Sequence, residues 1–203
     1  MDLIDIILNI DVYLTQVVNN YGILSYVLIS LVIFAETGLV FTPFLPGDSL
    51  IFAAGSIAAI SSLNIFVLFF ILFLAAFLGD TANYFIGEFF GKKISGKINQ
   101  KYLQRTEEFY QKHGGMTIFL ARFVPIVRTF APFVAGLGKM NYRKFISYNA
   151  TGGAVWVALF LFSGYFLGNI SQVKENFSIV IMAIILISIT PILFEFIKNR
   201  KSK

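Results

Sequence analysis

Four charged side chains stand in surroundings that do not suit them. Glu36 and Asp48 lie twelve residues apart in "ETGLVFTPFLPGDS", and Arg122 and Arg128 lie six apart in "ARFVPIVRTFAP"; both stretches are otherwise apolar and broken by Pro and Gly. Guanidiniums stay charged at any relevant pH and present forked donors that match phosphate oxygens, whereas a lysine in an apolar site can lose its proton. Two arginines six apart with a proline between them suit a bent segment around an anion better than one straight helical face. Carboxyls held in low dielectric exchange protons near neutral pH, so Glu36 and Asp48 are candidates for proton coupling. Asp48 in "PGDS" also stands where it can cap the helix that follows.

The surroundings of these residues are set by composition. Of the 203 residues 57% are hydrophobic, 24 are Phe, only 13% are charged, and the mean hydropathy is +0.78. Such values lie far outside those of soluble domains and define an integral membrane protein. Cysteine is absent, which excludes disulfides, thiolate catalysis and cysteine metal sites together. Neither a metal nor a cofactor is expected. The start, "MDLIDIILNID", carries three Asp where a signal peptide would carry lysines. Residues 1–20 therefore read as an amphipathic helix on the membrane surface rather than a cleaved leader.

Three apolar stretches, Ile65–Phe90, Asn149–Leu167 and Ser178–Ile197, hold the roughly 20 residues that cross a hydrocarbon core of about 30 Å. Two others, within residues 22–60 and 115–138, break in their middles at the Pro- and Gly-containing stretches quoted above. Their arms, each of roughly 10 to 13 residues, reach only half a bilayer. Irregular backbone at membrane depth survives only when buried in protein or facing a water-filled cavity, so both regions read as re-entrant helical hairpins.

Charge placement supports that topology. Lys92, Lys93, Lys97, Lys101, Arg105 and Lys112 form one cluster, Lys139, Arg143 and Lys144 a second, and Lys198, Arg200, Lys201 and Lys203 a third, together 13 of the 16 basic residues. If each hairpin returns to the side it entered from, all three face the cytoplasm, with the C-terminus. Binding to anionic lipid heads accounts for the clusters without any catalytic role.

A shift of 81 residues superposes Phe52 on Phe133, Ala54 on Ala135, Gly55 on Gly136, Tyr84 on Tyr165, Phe85 on Phe166 and Gly87 on Gly168. The fold expected is thus all-α and a single membrane domain over 1–203, built as two inverted repeats of hairpin plus transmembrane helix. Residues 21–91 form the first repeat, 92–113 a basic cytoplasmic loop, 114–168 the second repeat, and 178–197 a last transmembrane helix. Inverted repeats of this kind build alternating access in secondary transporters, with the site at broken helices near the midplane.

Opposed hairpins would bring Glu36 and Asp48 to Arg122 and Arg128. The plain alternative is that the four only clamp the hairpins, yet buried ion pairs stabilise little relative to apolar replacements, and a charge in the bilayer centre is costly. Asp80 and Asn83 in "GDTANYFIG" are candidate site-lining residues. The glycines there read as close helix packing. Trp156 is read as a packing residue and His113, the only histidine, as solvated. A histidine-based lipid phosphatase is disfavoured because the chain lacks a second histidine. No catalytic constellation is found.

At "ETGLVFTPFLPGDSLIFAAG", "GDTANYFIGEFFG" and "FLARFVPIVRTFAPFVAGLGKMNYRKFISYNATGGAVW" the sequence resembles the DedA family of bacterial membrane proteins, which carry a VTT or SNARE-associated domain. The resemblance covers roughly residues 20–170. It implies a multi-pass protein of the bacterial cytoplasmic membrane that moves lipid between leaflets with dependence on the proton gradient, and it marks Glu36, Asp48, Arg122 and Arg128 as essential. The reading adopted is a lipid flippase. Its expected partners are protons and a polyprenyl phosphate such as undecaprenyl phosphate, since an arginine pair suits a phosphomonoester. Phosphatidylethanolamine is the runner-up phospholipid, and a proton-coupled ion or drug antiporter or a membrane scaffold are readings from other classes. No nucleic acid is expected, and self-association into a homo-oligomer is allowed.

Overall fold

The computed structural model describes residues 22–38, 47–61, 63–94 and 114–168, together with Val18 and Ile170. The expected N-terminal surface helix, the bend of the first hairpin, most of the basic loop and the last transmembrane helix lie outside the described residues.

The described residues form six helices and no strand: α1 (Leu24–Gly38), α2 (Gly47–Ala58), α3 (Ile65–Ile94), α4 (Met116–Ala121), α5 (Pro125–Leu137) and α6 (Tyr142–Leu167). Two are long and apolar enough to cross a membrane, Ile65–Phe90 within α3 and Tyr142–Leu167. The second begins seven residues earlier than the apolar count suggests. Asn141 caps it, its side-chain oxygen accepting from the backbone N–H of Arg143 and Lys144 at 3.0 and 3.3 Å, so two basic residues enter the first turn. Asn64 does the same for α3, accepting from Phe66 and Val67 at 2.9 and 3.2 Å.

Exposure along α3 is the reverse of a soluble helix. Phe66, Phe70, Leu74, Leu78, Phe85 and Phe89 are exposed down its length, while Asp80 and Asn83 are buried. A helix with its apolar side outward and its polar groups inward is built for lipid.

The chain divides into two compact units, and three of the four boundaries fall within α1, α3 and α6. In the unit that contains Pro46–Leu72 and Val157–Lys203, every residue of α2 is buried. Here α2 lies against the C-terminal half of α6 so closely that a Cβ on Gly55 would sit 2.1 Å from the Leu161 carbonyl oxygen, and one on Gly164 would sit 2.0 Å from that of Phe52. The Ser56 hydroxyl donates to the Gly164 carbonyl at 2.8 Å. Phe69 stacks on Phe162, with ring centroids 5.9 Å apart.

The other unit contains Ile33–Leu45 and Phe73–Trp156. In it α5 lies against the C-terminal half of α3 in the same manner. A Cβ on Gly136 would meet the Tyr84 carbonyl oxygen at 2.0 Å, and one on Gly87 that of Phe133 at 2.0 Å. Tyr84 donates to the Met140 carbonyl at 2.5 Å and stacks on Phe145. Short helices lie this close to long ones only where glycine lets backbone meet backbone.

The two interlocks correspond contact for contact, but not at one offset. Phe52 matches Phe133 and Gly55 matches Gly136, 81 residues on, whereas Gly87 matches Gly164, Tyr84 matches Leu161 and Glu88 matches Tyr165, 77 residues on. The gapless shift over the long helices is thus four residues out, about one helical turn. The arms are also unequal to expectation. The helices at the places of the expected first hairpin, α1 and α2, hold 15 and 12 residues, and those at the expected second, α4 and α5, hold 6 and 13. Arg122 follows α4 directly, Val124 is extended (φ −119°, ψ 106°), and Pro125 starts α5. Pro132 sits inside α5 and does not end it.

Candidate functional site

The bend between α4 and α5 gives the arginine pair its geometry. Pro125 forces the residue before it out of helical conformation, so Arg122 closes one helix while Arg128 occupies the first turn of the next. Both side chains are buried, at 3% and 7% exposure. Each meets an acid within the same unit.

Arg128 Nη2 donates to Glu36 Oε1, and the pair is closed to solvent. Glu36 comes from the last turn of α1. The Trp156 ring lies 4.8 Å from Arg128 Cζ, within reach of a cation–π contact, so this tryptophan is a partner of the site and not simply packing. Asn83 fixes the two helices that carry the pair. Its amide donates to the Thr37 carbonyl at 3.2 Å and to the Thr129 carbonyl at 2.7 Å. Thr37 O lies in the last turn of α1, where carbonyls lack a partner within the helix.

Arg122 is held by different helices. Its Nη2 donates to Asp80 Oδ2 of α3 and to Asn149 Oδ1 of α6. The Asn149 amide in turn donates to the Phe77 carbonyl at 3.1 Å and to Thr81 Oγ1 at 3.4 Å. Gly152 and Gly153 leave the room that Arg122 fills: a Cβ on the first would lie 3.1 Å from Arg122 Cδ, and one on the second 3.3 Å from Nη2.

Sequence reasoning named Asp80 and Asn83 only as lining residues. The structure makes Asp80 the direct ion partner of Arg122 and Asn83 a brace across α1 and α5. It brings Glu36 to Arg128 and places Asp48 in the first turn of α2, buried, in the other unit. An acid there complements the positive end of the helix dipole. Asn149, Gly152, Gly153 and Trp156 were not singled out as site residues. Their spacing of three, four and seven puts them on one face of α6, and that stripe was the available signal.

Chemically the arrangement is two permanently charged guanidiniums, each paired with a carboxylate, inside a lipid-facing helical protein. Removing one partner of a buried pair costs about 3–5 kcal/mol because the other charge is left uncompensated. An incoming anion that replaced a carboxylate would keep the arginine satisfied.

Comparison with known proteins finds membrane-protein relatives. Residues 45–166 match the VTT domain family. The chain is therefore one of the VTT-domain membrane proteins. It is 50% identical over 207 residues to Protein DedA of Escherichia coli strain K12, covering 98% of this chain and 94% of that one. It is 40% identical over 167 residues, 80% of this chain and 75% of the other, to an uncharacterized membrane protein of Mycobacterium leprae. Inner membrane protein YghB of Escherichia coli strain K12 is 34% identical over 149 residues, 71% of this chain and 68% of its own. The chain belongs to the DedA family. No solved structure gives a significant match.

Proposed function

We propose that this protein moves a phosphate-headed lipid across the bacterial cytoplasmic membrane, with a polyprenyl phosphate of the undecaprenyl phosphate kind as the cargo. The observation that carries the reading is the pair of buried guanidiniums on either side of the α4–α5 bend, each balanced by a carboxylate. Guanidinium forks match phosphate oxygens, so Arg122 and Arg128 hold the head. Protons enter through the acids Glu36 and Asp48. Protonated Glu36 stops competing for Arg128 and admits the anion, and deprotonated Glu36 helps to expel it. The paired interlocks of α2 with α6 and α5 with α3 support two inverted repeats, each a re-entrant hairpin plus a spanning helix, which is a framework for presenting one site to either side. The basic loops and the C-terminus face the cytoplasm, and transport involves no covalent step.

Purified protein in vesicles that lack other proteins tests this directly. Wild type should move undecaprenyl phosphate between leaflets, and Arg128→Lys, which keeps the charge but loses the fork, should lose at least about tenfold in rate. A folded Arg128→Lys protein with wild-type transport, or a wild type that moves only phosphatidylethanolamine or an inorganic cation, would refute the assignment.

A further inference from the structure

Arg122 is held by a carboxylate and an amide oxygen together. Arg122 offers five N–H donors, yet the two acceptors shown for it, Asp80 Oδ2 and Asn149 Oδ1, share Nη2. Its Nε has no hydrogen-bond partner, although the residue is 3% exposed. A buried donor left unmet is unfavourable, and the usual arginine–carboxylate pair avoids it by binding side-on through two nitrogens. Asp80 binds with a single oxygen at one nitrogen instead.

From this geometry we propose that Asp80 is the exchangeable counter-ion of Arg122: the resting partner that a phosphate-bearing ligand displaces, with Asn149 as the fixed neutral arm that keeps the guanidinium aimed during the exchange. The inference rests on the transport reading above and adds the residue that the anion must replace. A phosphate monoester presents several terminal oxygens, and two of them can span the Nε–Nη2 edge, satisfying the donor that the end-on carboxylate leaves unmet. Asn149 is suited to stay in place, since its amide is tied to Phe77 O and Thr81 Oγ1. The missing Cβ atoms of Gly152 and Gly153 let the guanidinium lie against α6. Each arginine then has its own competing carboxylate within its unit, Glu36 for Arg128 and Asp80 for Arg122.

The test uses full-length protein in detergent, with farnesyl phosphate and inorganic phosphate as separate probes. Asp80→Asn preserves shape and a hydrogen-bond acceptor but deletes the charge, so it should bind farnesyl phosphate about tenfold more tightly than wild type, equivalent to about 1.4 kcal/mol. The same variant should release its cargo more slowly and transport less. Asn149→Asp adds a second carboxylate at Nη2 and should weaken binding by about tenfold. An effect seen with both probes assigns recognition to the phosphate group alone; one confined to farnesyl phosphate adds the isoprenoid; either supports the exchange. Asp80→Asn protein that binds with wild-type strength or more weakly overturns it and leaves the transport reading standing. Should Asp80→Asn not fold, Asn149→Asp decides, and undiminished binding there overturns the proposal. Wild-type protein that binds neither probe overturns both readings.

Discussion

Gly87→Ala is the sharpest test of how α5 seats on α3. In an open helix interior alanine is favoured over glycine by about 1 kcal/mol, so a substitution without steric conflict would raise stability. Gly87 is not open. A Cβ there would lie 2.0 Å from the Phe133 carbonyl oxygen and 2.8 Å from its carbonyl carbon, against the 3.4 Å of ordinary contact, and backbone cannot turn aside as a side chain can. The helices must part locally by about 1 Å or more, an overpacking that costs about 1–3 kcal/mol or somewhat more. Asn83 lies one turn before Gly87, as Thr129 lies one turn before Phe133. The 2.7 Å bond from the Asn83 amide to the Thr129 carbonyl would then stretch to about 3.7 Å, beyond hydrogen-bond range. The net expectation is a loss of about 1–2 kcal/mol of stability together with a loss of transport. Thermal unfolding in detergent, followed by circular dichroism, reads the first, and vesicle transport the second. Gly38→Ala, whose Cβ would stay 3.3 Å from its nearest neighbour, serves as the mild control and should change stability by less than about 1 kcal/mol. An unfolding midpoint for Gly87→Ala at or above that of wild type would refute the reasoning.

Two further outcomes are expected. In vesicles, a pH step across the membrane should change the rate of wild-type lipid transport, and Glu36→Gln and Asp48→Asn should abolish that dependence; transport that ignores the step in wild type, with both variants inactive, would make the acids structural partners only. Cysteines introduced at Ser95 and Lys139 should both react with a membrane-impermeant reagent from the cytoplasmic side alone, and labelling of either from outside would sink the paired-hairpin topology.

Some of this was legible in the sequence because the physics was local. The span Ile65–Phe90 is uninterrupted and apolar, and the helix begins directly after its Asn64 cap. The break between Arg122 and Arg128 follows from Pro125, whose effect on its neighbour needs no tertiary context. The start of α6 was hidden because Arg143 and Lys144 interrupt the apolar count, while the signal that mattered was the cap at Asn141. The repeat was read one turn out in the long helices, since a slip of four residues keeps the same helix face toward its neighbour and leaves the apolar pattern almost unchanged. That Glu36 would meet one of the arginines was readable from the cost of lone charges. That Arg122 would take Asp80 was not, because the choice depends on which face of α3 meets α4 and α6, and nothing local in the sequence records it.

The Asn83 amide has two hydrogens, and both are spent on carbonyls one residue beyond the charged groups they serve, Thr37 after Glu36 and Thr129 after Arg128. The span between the acid and the guanidinium is therefore gauged by main chain and by a neutral side chain as well as by the attraction between the two charges. Neutralising Glu36, by a proton or by substitution with glutamine, then alters the electrical balance of the pair while its scaffold keeps its dimensions. Charge and shape are set in part by different atoms here, so the site can change its sign balance without first having to rebuild itself.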